Sequence, residues 1–362
     1  MTGDIPCVRS HVRPLLGMGL VIAALMVLGW GTFVFVVLPG DYLMGGQVVF
    51  GTGLALTAFT LGVRHGFDPD HIAAIDNTTR KLVTENGRPP VTVGFWFALG
   101  HSTIVVVAVV LLAAGLNVFA RQITADQSAL QSVAGLWGIL VSALFLLLIG
   151  AINLASMRGI WQVFRGMRRG VFDEAELEQL LVHRGVLNRI LGPVARRVDR
   201  PAKMYVVGLL FGLGFDTATT IALFVIGGTA ALTAPWYVVL VLPILFTAGM
   251  TLVDTLDGVI MHHAYAWAFA APVRKVYYNL TITIISVAVA FLVGGLGLAG
   301  LAAEMLDAES GWLGWVAGLN IDHLGYVIVA VLLFTWLVAY AYWKLARVEA
   351  RHASAPGSIR KH

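Results

Sequence analysis

Long charge-free apolar runs dominate the pattern of this chain. Residues 14–40, 89–120, 127–157, 276–303 and 324–343 contain no Asp, Glu, Lys or Arg. Each matches or exceeds the roughly 20 apolar residues that carry a helix across a bilayer. Further apolar stretches with a few ionisable residues fill the gaps. The pattern predicts eight membrane helices, at 15–38, 49–75, 91–115, 132–156, 204–230, 236–262, 276–302 and 323–345.

Composition agrees with that reading. The chain has 362 residues, 58% of them hydrophobic and 12% charged, with a mean hydropathy of +0.84. These values lie far outside soluble averages and predict an all-α integral membrane protein, organised as one domain over residues 1–362. The single cysteine, Cys7, rules out a disulfide framework and a thiolate metal cage. The net charge of +4 is not a nucleic-acid footprint, because the basic residues sort by loop. The first apolar run is too long for the core of a signal peptide and is expected to be a retained span.

The sorting sets a topology. All lysines and arginines except Arg64 and Arg121 fall at the N-terminus, at 80–88, at 158–203, at 274–275 or after residue 343. These are alternate connections, so the positive-inside rule predicts both termini in the cytoplasm of a plasma-membrane protein. The segment 158–203 is the one sizeable extramembrane piece. Asp173 and Glu176 read there as a capping box ahead of an apolar stripe. A second amphipathic stretch follows, so helices lying on the anionic inner leaflet are expected.

Two short matches indicate an internal repeat. Gly66-Phe67-Asp68 in span 2 matches Gly214-Phe215-Asp216 in span 5, at an offset of 148. Phe97 and Gly100 in span 3 match Phe246 and Gly249 in span 6, at an offset of 149. Spans 1–3 then correspond to spans 4–6. An odd number of spans reverses direction, so the halves are expected to be inverted, with a binding site near the midplane.

The candidate chemistry is densest in Arg64–Arg80, which reads RHGFDPDHIAAIDNTTR. His65, Asp68, Asp70 and His71 lie within seven residues at membrane depth, where each ionisable group costs about 3 kcal/mol. On a regular helix His65 and His71 are poorly aligned, but Pro69 predicts a kink that swings them together. Imidazole plus carboxylate suits Ni²⁺, Co²⁺, Cu²⁺ or Zn²⁺ better than Na⁺, Mg²⁺ or Ca²⁺. His101, in mid-span 3, is a further candidate ligand at the same depth. Arg64 is a candidate ion-pair partner for a carboxylate. Asp76, Asn77, Ser102, Asp216, Thr217, Asp254 and Asp257 are candidates for the transport pathway or for support of the ligands. Met250 reads as core packing, and His262 with His263 as residues reaching for water at the inner end of span 6.

Four stretches resemble the signatures of the nickel/cobalt transporter family: RHGFDPDHIAAIDNTTRKL, LGHSTIVV, GLGFDTATT and AGMTLVDTLDG, in family order on spans 2, 3, 5 and 6. The resemblance implies high-affinity uptake of Ni²⁺ and Co²⁺. The family's metal-essential motif corresponds to His65, Asp70 and His71. Two departures stand out. Gly66 and Pro69 occupy positions where the family usually has alanine, and Thr220 one where it usually has glutamate.

Together these readings predict a secondary permease that takes nickel or cobalt as its substrate and needs no other cofactor. No GxxxxGK[ST] motif is present, so no ATP use and no ATPase subunit are expected. The alternatives are a nickel/cobalt exporter, which shares the ligands, and a membrane metalloenzyme such as a di-iron desaturase. The second requires histidine boxes on the cytosolic face. Oligomeric state is not legible.

Overall fold

The computed structural model describes residues 8–44, 48–86, 90–114, 129–168, 198–214, 218–231, 234–269, 272–306, 308, 310–319 and 323–345. It is a helical bundle. The elements are α1 (Val8–Thr32), α2 (Thr52–Gly66), α3 (Pro69–Asn86), α4 (Val93–Ala113), α5 (Ala129–Arg168) and α6 (Met204–Gly212). They continue with α7 (Ala218–Ala231), α8 (Trp236–Val239), α9 (Val241–Phe269), α10 (Pro272–Met305), α11 (Gly311–Ala317) and α12 (Leu324–Leu345). A minimal hairpin, β1 (Leu43–Met44) against β2 (Val48–Val49), is the one sheet among the described residues.

Among the described residues six helices are long and apolar enough to cross a membrane, not eight. They match the expected spans 1, 3, 4, 6, 7 and 8. Spans 2 and 5 are instead each built from two shorter helices, α2 with α3 and α6 with α7. The cause in span 2 is local. Gly66 is a poor helix former, and Pro69 forces the preceding residue out of the helical region. The chain turns at Phe67 and Asp68, whose N–H groups bond to the carbonyls of Arg64 and His65. Pro69 then opens α3, where its missing N–H costs nothing. The proline therefore starts a helix where a kink was expected. Span 4 also runs longer than expected, because α5 continues to Arg168. The Asp173–Glu176 capping box and the amphipathic stretch after it lie outside the described residues.

Glycines set the packing of the broken helices. A Cβ at Gly62 of α2 would overlap the carbonyl of Phe246 on α9, and one at Gly66 would press on Val253 and the Met250 carbonyl. In the other seam a Cβ at Gly208 of α6 would overlap the carbonyl of Phe97 on α4, and one at Gly212 would press on His101 and Ile104. Gly249 and Gly100 complete the two seams from the facing helices, against Phe59 and Tyr205. Phe246, Gly249, Met250 and Val253 correspond to Phe97, Gly100, His101 and Ile104 at the expected offset of 149. Gly62 and Gly66 correspond to Gly208 and Gly212 at 146, two less than the offset at Gly-Phe-Asp. The difference of two falls between Gly212, which Gly66 matches in the packing, and Gly214, which it matches in Gly-Phe-Asp.

Contacts along each seam advance in step, so α2 and α9 run parallel, as do α6 and α4. The two pairs oppose one another. Gly94 of α4 lies against Asp254 of α9, while the Val105–Leu112 end packs with Val238–Leu245. The halves are thus inverted about their broken helices. Their first helices differ in placement, since α1 lies on α9 through Gly29 and Leu245, and α5 lies on α10 through Gly150 and Ala290.

Candidate metal centre

α3 is a polar helix with no solvent face from His71 to Val83. Every residue from His71 to Val83 is buried, including Asp76, Asn77, Arg80 and Lys81. Tertiary bonds hold it in place. Asn153 donates to Asn77 at 2.7 Å, Asn77 donates to the Ala73 carbonyl at 2.8 Å, and Lys81 donates to the Val198 carbonyl at 2.7 Å. Such a helix is sustained by its partners rather than by amphipathic burial.

At the break, α2 ends by presenting His65, α3 begins by presenting His71, and α4 presents His101 from the opposing pair. The three imidazoles are 2%, 1% and 4% exposed. One nitrogen from each lies within 4.8 Å of the others. The rings sit 4.6 to 4.9 Å apart by centroid. Four ligands at about 2 Å in tetrahedral array are about 3.4 Å apart, so a small contraction closes the trio on one ion. His65 Nε2 already faces His101 Nε2 at 2.9 Å. His71 Nε2 and His101 Nδ1 are buried with no hydrogen-bond partner among the described residues. Phe97 packs edge-on against His71, and Phe246 tilts over His65, so the cluster has aromatic walls from both seams.

Two carboxylates orient two of the rings. Asp68 Oδ2 lies 2.6 Å from His65 Nδ1. Asp254 on α9 lies 3.3 and 3.4 Å from His71 Nδ1 through its two oxygens. A carboxylate on Nδ1 fixes the tautomer that leaves Nε2 as a lone-pair donor. Both Nε2 atoms then belong to the cluster.

The remaining candidates are distributed around this centre. Asp70 turns away from the imidazoles. It accepts the His71 N–H at 3.0 Å and the Ser142 hydroxyl of α5 at 3.2 Å. Arg64 is exposed on α2. Ser102 is buried beside His101. Asp76 lies deeper along α3, where Tyr265 donates to it at 2.6 Å, and Asp257 is buried on α9. Asp216 and Thr217 lie outside the described residues. Met250 is fully buried, as expected of core packing. His263 is exposed and His262 is buried, so only one of that pair faces out, because adjacent helix positions point about 100° apart.

Ser142, Tyr265 and Gly325 were not singled out by the sequence. A Cβ at Gly325 would overlap the Phe67 carbonyl, so the first turn of α12 closes over the break, with the Tyr326 ring tilted against Phe67 at 4.8 Å between centroids. Isolated serine, tyrosine and glycine in apolar spans carry no pattern that reveals such contacts.

A multi-pass helical membrane protein with inverted halves, and with a buried imidazole cluster at the break of a discontinuous helix, has the build of a secondary transporter. Comparison with known proteins narrows the class. The sequence pattern of the high-affinity nickel-transport protein family, NicO, matches residues 51–342. The nickel transporter NicT of Mycobacterium tuberculosis is 50% identical over 337 residues, covering 93% of this chain and 90% of that protein. The high-affinity nickel-transport protein NixA of Helicobacter pylori (strain 26695) is 39% identical, covering 80% of this chain and 88% of its own. The cobalt transport protein NhlF of Rhodococcus rhodochrous is 37% identical, covering 80% and 82%. No solved structure matches this chain. The chain belongs to the high-affinity nickel-transport family, whose named relatives here are transporters and not enzymes.

Proposed function

We propose that this protein is a secondary permease that imports Ni²⁺, and also Co²⁺, through the cluster of His65, His71 and His101. The observation that carries the reading is the convergence of three buried imidazoles at the break of span 2, with two of them oriented by Asp68 and Asp254. Neutral nitrogen donors favour late first-row divalent ions over the far more abundant Mg²⁺ and Ca²⁺. The relatives named for nickel and for cobalt support both cargoes.

The distribution of Lys and Arg supports an orientation with both termini in the cytoplasm. Metal arrives from the side on which α2 begins and reaches the break beside Asp68, the more exposed member of its pair with His65. It exchanges water for imidazole nitrogen. Opposed motion of the inverted halves then opens the α3 side. Inward movement of two charges gains about 4.6 kcal/mol per 100 mV of membrane potential, enough to concentrate a scarce ion without ATP.

The test is uptake of radioactive Ni²⁺ and Co²⁺ at nanomolar concentration by cells expressing the protein, with His65→Ala and His71→Ala alongside. Accumulation above background, abolished in both variants, is expected. Accumulation below background would make the protein an exporter. Absence of movement of either metal, with protein present in the membrane, would overturn the reading.

A further inference from the structure

Beyond the histidines, on the α3 side, lies a second group of buried oxygen atoms that the permease reading does not use. Asp76 on α3 is 2% exposed and Asp257 on α9 is 6% exposed. Tyr265 Oη donates to Asp76 Oδ1 at 2.6 Å. Ser286 of α10 sits beside the same carboxylate, and Arg80 lies one turn further along α3. Asp257 Oδ2 and Thr79 Oγ1, the latter one turn from Asp76, are buried with no hydrogen-bond partner among the described residues.

A carboxylate that merely joins helices is expected to satisfy both of its oxygens, since a buried unpaired one costs several kcal/mol. Asp257 does not. Asp76 and Asp254, both acids, lie close enough for their fields to reach it. A second carboxylate so close to Asp76 in a dry interior is relieved by a proton or by a cation, and a passing metal ion can supply the second. The set contains oxygen donors only, so it suits a hard or partly hydrated divalent ion and holds it more weakly than imidazole does.

We propose that Asp76 and Asp257, with Thr79 and Ser286, form a second cation station, through which the metal passes after leaving the histidine cluster and which the Tyr265 hydroxyl closes in this state. The inference rests on the permease reading. A weak oxygen site below a tight nitrogen site lets the ion leave in steps, because no single step has to break every coordinate bond at once. Tyr265 occupies the acceptor that a cation would use, so the station is shut while the upper site is assembled.

The experiment uses purified full-length protein in detergent, with Mn²⁺ as the probe, since Mn²⁺ prefers oxygen donors. Bound Mn²⁺ is read by electron paramagnetic resonance, and Ni²⁺ binding by calorimetry. Mn²⁺ binding is expected in the wild type and in His71→Ala, with at least a tenfold loss in Asp257→Asn. Tyr265→Phe removes one hydroxyl and is expected to tighten Mn²⁺ binding several-fold. Ni²⁺ should still bind tightly to Asp257→Asn, which also shows that the variant is folded. No Mn²⁺ binding to wild type, or binding indifferent to Asp257→Asn, overturns the station. So does Mn²⁺ binding that His71→Ala removes, because the ion would then sit on the histidines. Loss of Ni²⁺ binding in the wild type itself, with Mn²⁺ retained, would defeat the histidine site and not the station.

Discussion

His71 Nδ1 faces the carboxylate of Asp254 at 3.3 Å, and the two residues are 1% and 0% exposed. They lie on different halves of the molecule, His71 at the start of α3 and Asp254 in the middle of α9. The contact forms just past the glycine seam between α2 and α9, where α3 starts beside α9.

Asp254→Asn tests what that contact does. Asparagine keeps the shape and removes the charged acceptor that holds the Nδ1 proton in place. His71 then loses its preference for the tautomer with Nε2 free. Partners of this kind typically contribute 10- to 100-fold in metal affinity. The expected result is a loss of about that size in Ni²⁺ affinity by calorimetry, with the thermal midpoint little changed. An affinity within twofold of wild type would remove Asp254 from the site.

Asp70 calls for a different outcome from Asp68. Its oxygens are taken by the His71 amide and the Ser142 hydroxyl, so its role here is to tie the start of α3 to α5. Ser142→Ala deletes one of these bonds and should lower stability by about 1 kcal/mol, with Ni²⁺ affinity nearly unchanged. Asp68→Asn, at the 2.6 Å partner of His65, should instead lower affinity more than stability. Chemical denaturation and calorimetry on the two variants separate the cases. A reversed pattern would make Asp70 the metal-facing carboxylate.

Gly325→Ala examines the contact of α12 with the break. A Cβ there would overlap the Phe67 carbonyl and stand 3.3 Å from the Pro69 nitrogen. Either α12 withdraws or the turn at Phe67–Asp68 shifts, and the second moves Asp68 off His65. Uptake should fall at least tenfold. Gly295→Ala, whose added Cβ meets nothing within 4 Å, is the control and should transport normally. Normal transport by both would mean that α12 yields without disturbing the site.

Much of this arrangement was legible in the chain and some was not, for identifiable reasons. Charge-free runs gave five of the six continuous membrane helices, because hydrocarbon imposes one length on any helix that crosses it, and the sixth was read through Asp254 and Asp257 from its apolar length. Depth and residue type marked His65, Asp68, Asp70, His71 and His101 as candidates, of which the three histidines converge. The interruption of spans 2 and 5 was half visible. Pro69 announced a disturbance, but whether proline kinks a helix or begins one depends on what satisfies the carbonyls before it. Here the Phe67 and Asp68 amides do so. The separate duties of Asp68, Asp70 and Asp254 were not legible, because they are fixed by the rotation of α9 and α5 about α3. Ser142 had no distinguishing pattern in an apolar span. The offset of 148 at Gly-Phe-Asp hid the register of 146 in the helices before it, since extra residues in a connection leave no mark on helix packing.

The inverted halves make a paired prediction. Gly62 and Gly208 occupy equivalent positions, each with a carbonyl of the facing helix, Phe246 or Phe97, in the space a Cβ would take. Gly62→Ala and Gly208→Ala should therefore destabilise the protein to a similar extent, by about 1–3 kcal/mol through overpacking. The overlapped carbonyls belong to Phe246 and Phe97 on different helices, so the two costs should roughly add in the double variant. Transport should behave differently from stability. If both seams move in one opposed rocking step, blocking either stops the cycle, and the double variant should transport no worse than the slower single one. Gly53→Ala, with nothing within 4 Å of the added carbon, serves as the reference. Initial rates of Ni²⁺ uptake, normalised to protein in the membrane, decide the matter. A stalled Gly62→Ala beside a fully active Gly208→Ala would show that one seam moves while the other is only a frame, and the symmetric mechanism would have to be abandoned.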